Sequence, residues 1–444
     1  MSEEIELKFI VHPGGVDSLL KQLTDWQSEY SYSEHLRAQR LTSIYYETAD
    51  NFLRRNGIGL RIRGENERYE MTAKTAGKVV GGLHQHPEYN LALEKAELDL
   101  GLLPADIWPE NCDVAALQRS LKPLFSTDFT REKWVVTYHQ SVIEVALDRG
   151  EIRAGDLNEP LCELEMELKL GHPSDLLELA REIAGFGGLR QGSLSKAARG
   201  YHLAKGNPPR ECRPVGILRL EPKTNIDQAI GAALEFALSH WQYHEELWVG
   251  GNADARNALP QAGALMREML VLVGGVVSRK VTTIFRAALA NLEAMVEGPG
   301  EAETLCYRVE YLQSKLVLTS WLIEAGWRDY MDNKDRIKLQ GSYKRFADIM
   351  LGRSSADLRS TFNNTLSEVQ YTQQLPRLQR NICAFQLLSG AYPTEQVDAY
   401  IGRWRALIQA IEQLAVDHTP SPYLESCRKQ ALAQPPFWLH SAGN

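Results

Sequence analysis

The feature that most constrains this chain is a two-residue alternation of charged and apolar side chains that keeps returning through its first half. It begins in "EIELKFIV", where Glu4, Glu6 and Lys8 share one face of an extended strand and Ile5, Leu7 and Phe9 the other. The same period puts Arg61 with Arg63 in "GLRIRG", Glu70 with Thr72 and Lys74 in "YEMTAKT", and Arg131 with Lys133 in "TREKWVV". In "CELEMELKL" it gathers Glu163, Glu165, Glu167 and Lys169 opposite Leu164, Met166 and Leu168. Turn-like segments such as "AGKVVGG" and "DRGEIRAGD" separate the runs. Two architectures fit. One is a flat antiparallel sheet with one face in water. The other closes the sheet into a barrel, with the charged face lining a lumen and helices covering the apolar face. In a lumen the charges must compensate one another, and a bound polyanion with metal ions completes the balance.

The period changes beyond "GNPPRECRPVG", Gly206 to Gly216, whose prolines and lack of periodicity mark a linker. The segments from Asn225, Ala258 and Val397 carry the i, i+3, i+4 apolar spacing of helices. Shorter helical patterns occur in the first half at "GGVDSLLKQLTDW", "DVAALQRSLKPLF" and "HPSDLLELAREIAGF", the last with Ser174 or Asp175 placed as its cap. At 444 residues the chain exceeds what one core supports. The expected fold is therefore α+β, with a β domain over 1–205, a linker over 206–219 and an all-α bundle over 220–444.

The net charge of -8 lies entirely in residues 1–206, which hold 24 Lys+Arg against 32 Asp+Glu, while the remainder is balanced at 25 against 25. Six scattered cysteines show no metal-binding spacing and suit a reducing compartment. The acidic opening "MSEEIE" and the shortness of the most apolar run, "LVLVGGVV", set the expectation of a cytoplasmic protein with no membrane partner. Tyr45, Tyr46 and the tryptophans read as packing residues, so no nucleic-acid partner is expected. His240 and His244, one helical turn apart, lack a third ligand and read likewise.

If the barrel is real, its lumen collects carboxylates from Glu4, Glu6, Glu163, Glu165 and Glu167, joined by Asp148 in "EVALDRG" and Glu88 in "HPEYN". Lys8, Arg61, Arg63, Lys74, Arg131 and Lys196 supply the opposite sign. Carboxylates bind hard divalent cations, arginine grips phosphate oxygens in pairs, and lysine acts as a point charge. That combination is the equipment of phosphoryl transfer. There is no Walker loop, nucleophile elbow or paired CxxC.

The series ExExK at Glu4, Glu6 and Lys8, then "LRIR", "TAKTAG", "LDRG", "ELEMELKLG" and "SKAARGY", resembles the CYTH family of triphosphate tunnel metalloenzymes, and its inorganic triphosphatase branch in particular. The resemblance implies an eight-stranded antiparallel tunnel barrel with flanking helices that hydrolyses inorganic triphosphate with Mg2+ or Mn2+, two ions being expected. Carried over, Glu4, Glu6, Lys8 and Asp148 are the catalytic set. Lys8, Arg61, Arg63, Lys74, Arg131 and Lys196 bind the substrate, and Glu4, Glu6, Glu163, Glu165, Glu167 and Glu88 bind metal. Glu47 in "YYET" and His86 in "HPEY" depart from the family pattern and stay outside the core site.

Residues from about 220 resemble the CHAD helical domain, which implies polyphosphate binding. Where that family carries a histidine and arginines, this chain has Pro260, Gly263, Glu268 and Leu270, with Arg267 retained, so attenuated binding is expected. The basic run Arg328, Lys334, Arg336, Lys338, Lys344 and Arg345 reads as a solvated helix face. Deletion of residues 221–444 is expected to leave the barrel working. The competing readings are a tunnel enzyme acting on an organic triphosphate (thiamine triphosphate, ATP, or ATP cyclisation) and a non-catalytic polyphosphate-binding protein.

Overall fold

The computed structural model describes residues 2–26, 32–65, 68–364, 366–417 and 422–438. Ten strands form: β1 Ser2–Val11, β2 Tyr32–Glu47, β3 Gly59–Glu65, β4 Arg68–Lys74, β5 Lys78–Val80, β6 Leu83–Leu93, β7 Lys122–Tyr138, β8 Ser141–Ala154, β9 Leu157–Leu170 and β10 Leu189–Gln191. Eight of them run antiparallel in the order β1-β9-β8-β7-β2-β3-β4-β6, and β6 pairs back onto β1 from Ser2↔Glu88 to Leu7↔Leu83. The sheet is a closed barrel, which leaves no free edge in the ring. The short strands β5 and β10 attach outside it, on β6 and β1.

Closure fixes what each face of a strand meets. The outward residues Leu7, Phe9, Trp134, Val145, Leu164 and Met166 are fully buried under the helices Val16–Trp26 and Pro173–Ala184. Each such side chain contributes roughly 1.5–3 kcal/mol through burial. A second outer cluster, with Leu60, Ile62 and Met71, packs against Leu53, Trp108 and Leu117. With both outer faces apolar, the charged positions turn inward.

The chain divides into two compact units, Met1–Glu211 with Glu297–Glu324, and Cys212–Val296 with Ala325–Asn444. The helix Val309–Ile323 thus belongs to the barrel unit although it lies deep in the helical half of the sequence. Its Leu312 and Leu316 join the core beneath the helix Pro173–Ala184. Its Thr319 hydroxyl donates to the Gly81 carbonyl at 2.6 Å, and Gln191 Nε2 donates to the same oxygen at 2.8 Å. Gly81 turns β5 into β6, the strand that closes the barrel. A truncation after residue 220 therefore strips a helix from the barrel's own core, against the expectation of independence.

The second unit is all helical among the described residues, with Ile226–Val249, Thr283–Glu297, Tyr343–Phe362 and Thr394–Asp417 as its longest members. The periodic run from Ala258 is two helices rather than one, interrupted after Leu272 where Gly274 and Gly275 lower helix propensity. His244 is fully buried, and its Nε2 accepts the Arg213 N–H at 3.0 Å, a packing role. Among the described residues, no helix is long and apolar enough to cross a membrane.

Three local expectations are corrected. "DRGEIRAGD" is mostly strand, since β8 runs to Ala154 and only Gly155 and Asp156 turn. "DVAALQRSLKPLF" is helical only over Val114–Ser120, because Lys122 onward pairs with β2. The helix from Pro173 has His172 at its cap position without a side-chain bond, and Asp175 instead accepts the Ser141 hydroxyl at 2.5 Å.

Candidate functional site: a charged tunnel

The register places the lumen residues in rows. Glu6 stands opposite Glu167 and Lys8 opposite Glu165 across β1 and β9, and Arg131 opposite Asp148 and Asp148 opposite Glu163 across β7, β8 and β9. Across β3, β4 and β6, Arg61 stands opposite Thr72 and Lys74 opposite Glu88. Every residue expected in the site is on a barrel strand except Lys196, which opens the helix Lys196–Ala204. Ser195 caps that helix by accepting the Ala198 N–H at 3.1 Å. Gly200 lets it settle, since a Cβ there would lie 2.2 Å from the Phe125 ring.

Two carboxylate groups result. Asp148 and Glu163 are fully buried, and with Glu165 they bring one oxygen each within 4.8 Å of one another. Three cations already hold them. Arg131 binds Asp148 through two bonds of 2.7 Å and Glu165 at 2.6 Å. Lys196 contacts Asp148 at 2.7 Å, Glu165 at 2.9 Å and also Glu163. Lys8 reaches Glu165 at 2.5 Å and Glu6 at 3.0 Å. Burial alone would raise Glu165, but Lys196, Lys8 and Arg131 outweigh it and hold the carboxyl well below its ordinary range.

The second group comprises Glu4, Glu6, Glu88 and Glu167. Glu4 pairs with Lys74, which also lies 3.5 Å from Glu88, and Glu167 pairs with Lys169 at 2.7 Å. Burial and then the Glu6 charge push Glu4 up. Burial raises Glu167 as well.

Arg61 and Arg63 form the opposite pole. Arg61 has one distant carboxylate, Glu88 at 3.8 Å, and its Nε is buried without a hydrogen-bond partner. Arg63 donates to the Ser43 hydroxyl at 3.3 Å and makes no ion pair among the described residues. Burial, then the Arg61 and Arg131 charges, pull Arg63 down to about 10. Tyr45 stacks on Phe125 at 4.4 Å, as a packing residue should, yet its hydroxyl reaches into the lumen to Arg61.

Two charged positions of the network are not among the expected site residues, although the alternation places Lys133 on the charged face beside Arg131. Arg199 donates to Glu159 at 2.6 Å and Glu163 at 3.3 Å, one helical turn from Lys196; that i, i+3 spacing was the available signal. Lys133 holds Glu144 at 3.0 Å. Of the two residues set aside, Glu47 lies outside the charge network, whereas His86 stands opposite Glu4 across β1 and β6. Glu47 accepts the Leu53 and Arg54 N–H groups, each at 2.9 Å, and the Tyr201 hydroxyl at 2.8 Å, which makes it a helix clamp. His86 Nδ1 lies 3.3 Å from the Thr75 carbonyl.

The first unit thus belongs to the class of closed antiparallel β tunnels, with acidic and basic side chains on its inner wall. Residues 2–201 match the CYTH domain model and residues 232–415 the CHAD domain model. The chain thus carries a CYTH domain followed by a CHAD domain. A curated relative, the inorganic triphosphatase of Haemophilus influenzae, is 39% identical over 208 residues, which are 46% of this chain and 55% of the relative. The chain thus spans about half the length of that relative. Among solved structures, a candidate adenylyl cyclase of Hippeastrum with a dominant triphosphatase activity is 19% identical over 45% of this chain and 95% of its own, with a TM-score of 0.33. The CHAD domain from Ricinus communis is 14% identical over 52% and 92%, with a TM-score of 0.32.

Proposed function

We propose that the tunnel hydrolyses inorganic triphosphate to diphosphate and phosphate. The observation that carries this reading is the polarity of the lumen: Arg61 and Arg63 lack close carboxylates, while Glu4, Glu6, Glu88 and Glu167 gather on the paired strands β1, β6 and β9. An anion of several charges fits the first pole and cations fit the second. Arg61, Arg63 and Lys74 grip the phosphates and offset charge on the equatorial oxygens as the terminal P–O bond breaks. Lys8, Arg131 and Lys196 hold the Asp148, Glu163 and Glu165 carboxylates in place, and Asp148, saturated by Arg131 and Lys196, acts as a positioning residue. Water attacks the terminal phosphorus in line; its oxygen ends on the released phosphate and the electron pair of the broken bond on diphosphate.

The donor set fits a hard divalent cation, because it is built of carboxylate oxygens. Glu4 and Glu6, with oxygens from Glu88, Glu163, Glu165 and Glu167, would hold Mg2+ or Mn2+, and two ions are part of the proposal. When bound, such ions polarise phosphoryl oxygens and acidify water. A pure anion receptor has no use for these carboxylates, which favours catalysis over the binding-protein alternative.

For the helical unit we propose weak polyphosphate affinity. Its retained Arg267 is held by Glu293, and the Glu268 beside it is buried, with burial raising its carboxyl to about 7. Phosphate release from inorganic triphosphate, ATP and thiamine triphosphate, each with Mg2+ and with Mn2+, tests the whole reading. Rapid release from inorganic triphosphate alone, lost in Glu6→Gln, is expected. Release from none of them, with triphosphate still bound, would make the barrel a receptor.

A further inference from the structure

His84 has no part in the scheme above, yet it stands in the lumen. On β6 it lies directly across the barrel-closing seam from Glu6, as His86 lies across from Glu4. The preceding Leu83 is buried in the outer core, so alternation turns His84 inward with His86 and Glu88. Directly opposed residues on one face of an antiparallel pair are in contact range. His84 is only 5% exposed, and its Nε2 is buried with no hydrogen-bond partner among the described residues. A buried polar nitrogen left unpaired in a native fold calls for a ligand. His86, by contrast, already has the Thr75 carbonyl.

We infer that His84 is a nitrogen ligand to the cation held by Glu6, and that it biases the tunnel toward Mn2+ over Mg2+. The inference rests on reading the tunnel as a divalent-cation site. A cation is favoured over a phosphate as the partner of Nε2 because His84 is directly opposite Glu6, Arg61 and Arg63 lie on β3 beyond β4, and the two nearer cations, Lys8 and Lys74, are already engaged by Glu6 with Glu165 and by Glu4 with Glu88. Imidazole is the commonest protein ligand for metals. Mg2+ demands oxygen donors, while an imidazole beside carboxylates is accepted more readily by Mn2+.

The test uses the full chain, stripped of metal and without substrate. Mn2+ binding is followed by electron paramagnetic resonance, Mg2+ by competition, and nitrogen ligation by the electron spin-echo modulation of bound Mn2+. The wild-type chain should show 14N modulation, and His84→Gln should lose it. The variant should bind Mn2+ about tenfold or more weakly, the scale on which a ligand-shell partner acts, with Mg2+ affinity unchanged. Absent modulation in the wild type, which needs no variant to fold, overturns the inference. So does modulation that persists in His84→Gln, or an unchanged preference between the two ions. Failure of the wild type to bind Mn2+, or equal binding by Glu6→Gln, overturns the cation reading of the tunnel along with it.

Discussion

The barrel lumen and the basic run of the helical unit contain the same kinds of ion pair in opposite surroundings. In the lumen Lys196 and Glu163 are almost wholly out of water, with side chains 6% and 0% exposed. In the run, Arg328 pairs with Asp227, Lys338 with Asp335 and Lys344 with Asp348, and the three basic side chains are 41–55% exposed. Exposed pairs are screened and contribute little, whereas removing one partner of a buried pair leaves a charge that nothing solvates. Charge buried at such cost, and still short of carboxylates at Arg61 and Arg63, is the reason the lumen is proposed as the ligand site. Charge that is paired off at the surface marks a solvated face.

The largest expected effect follows directly. Lys196→Met removes the cation shared by Asp148, Glu163 and Glu165, leaving them to Arg131, Lys8 and Arg199, and should lower stability by about 3–5 kcal/mol in urea unfolding and abolish phosphate release. A loss no greater than that of Lys338→Ala would erase the contrast. Next, Leu316→Ala, in the helix Val309–Ile323, should cost about 2–5 kcal/mol as a core cavity in the transition of the barrel unit; a shift confined to the helical unit would contradict the assignment of that helix. Gly200→Ala forces a methyl onto the Phe125 ring and should cost about 1–3 kcal/mol, with turnover falling as Lys196 is displaced. Normal turnover would show the helix free to adjust. Smallest of all, Lys338→Ala should leave the melting temperature and phosphate release unchanged.

The lumen also sets a direction with pH. The folded Glu165 lies below its ordinary value of 4.5, so its contribution to stability is complete above that pH and is lost as the pH falls through the folded value. Denaturation followed from neutral pH to below 4.5 should therefore be less pH-dependent in Glu165→Gln than in the wild type. An identical acid slope would mean that Glu165 is not held by Lys196, Lys8 and Arg131.

What the sequence revealed and what it withheld follow from the range of the interactions. Side-chain alternation is local, so Glu4, Glu6 and Lys8, the Glu163 ladder and the paired arginines were legible one strand at a time. The seam between β1 and β6 joins residues some eighty positions apart and leaves no local trace, so closure rested on the family resemblance. Nor does the helix Val309–Ile323 announce its place: "YLQSKLVLTSWLI" is apolar on most sides, and only packing assigns Leu312 and Leu316 to the barrel. His84 hid for a related reason, since a histidine beside His86 and Glu88 carries no motif until the seam sets it opposite Glu6.

The most direct test of the tunnel as the triphosphate site is a calorimetric titration of the metal-free chain with inorganic triphosphate, comparing wild type, Arg63→Met and Arg336→Ala. Binding that is lost in Arg63→Met and kept in Arg336→Ala is the predicted result. Binding that survives Arg63→Met and disappears in Arg336→Ala would place the anion on the helical unit and contradict the account.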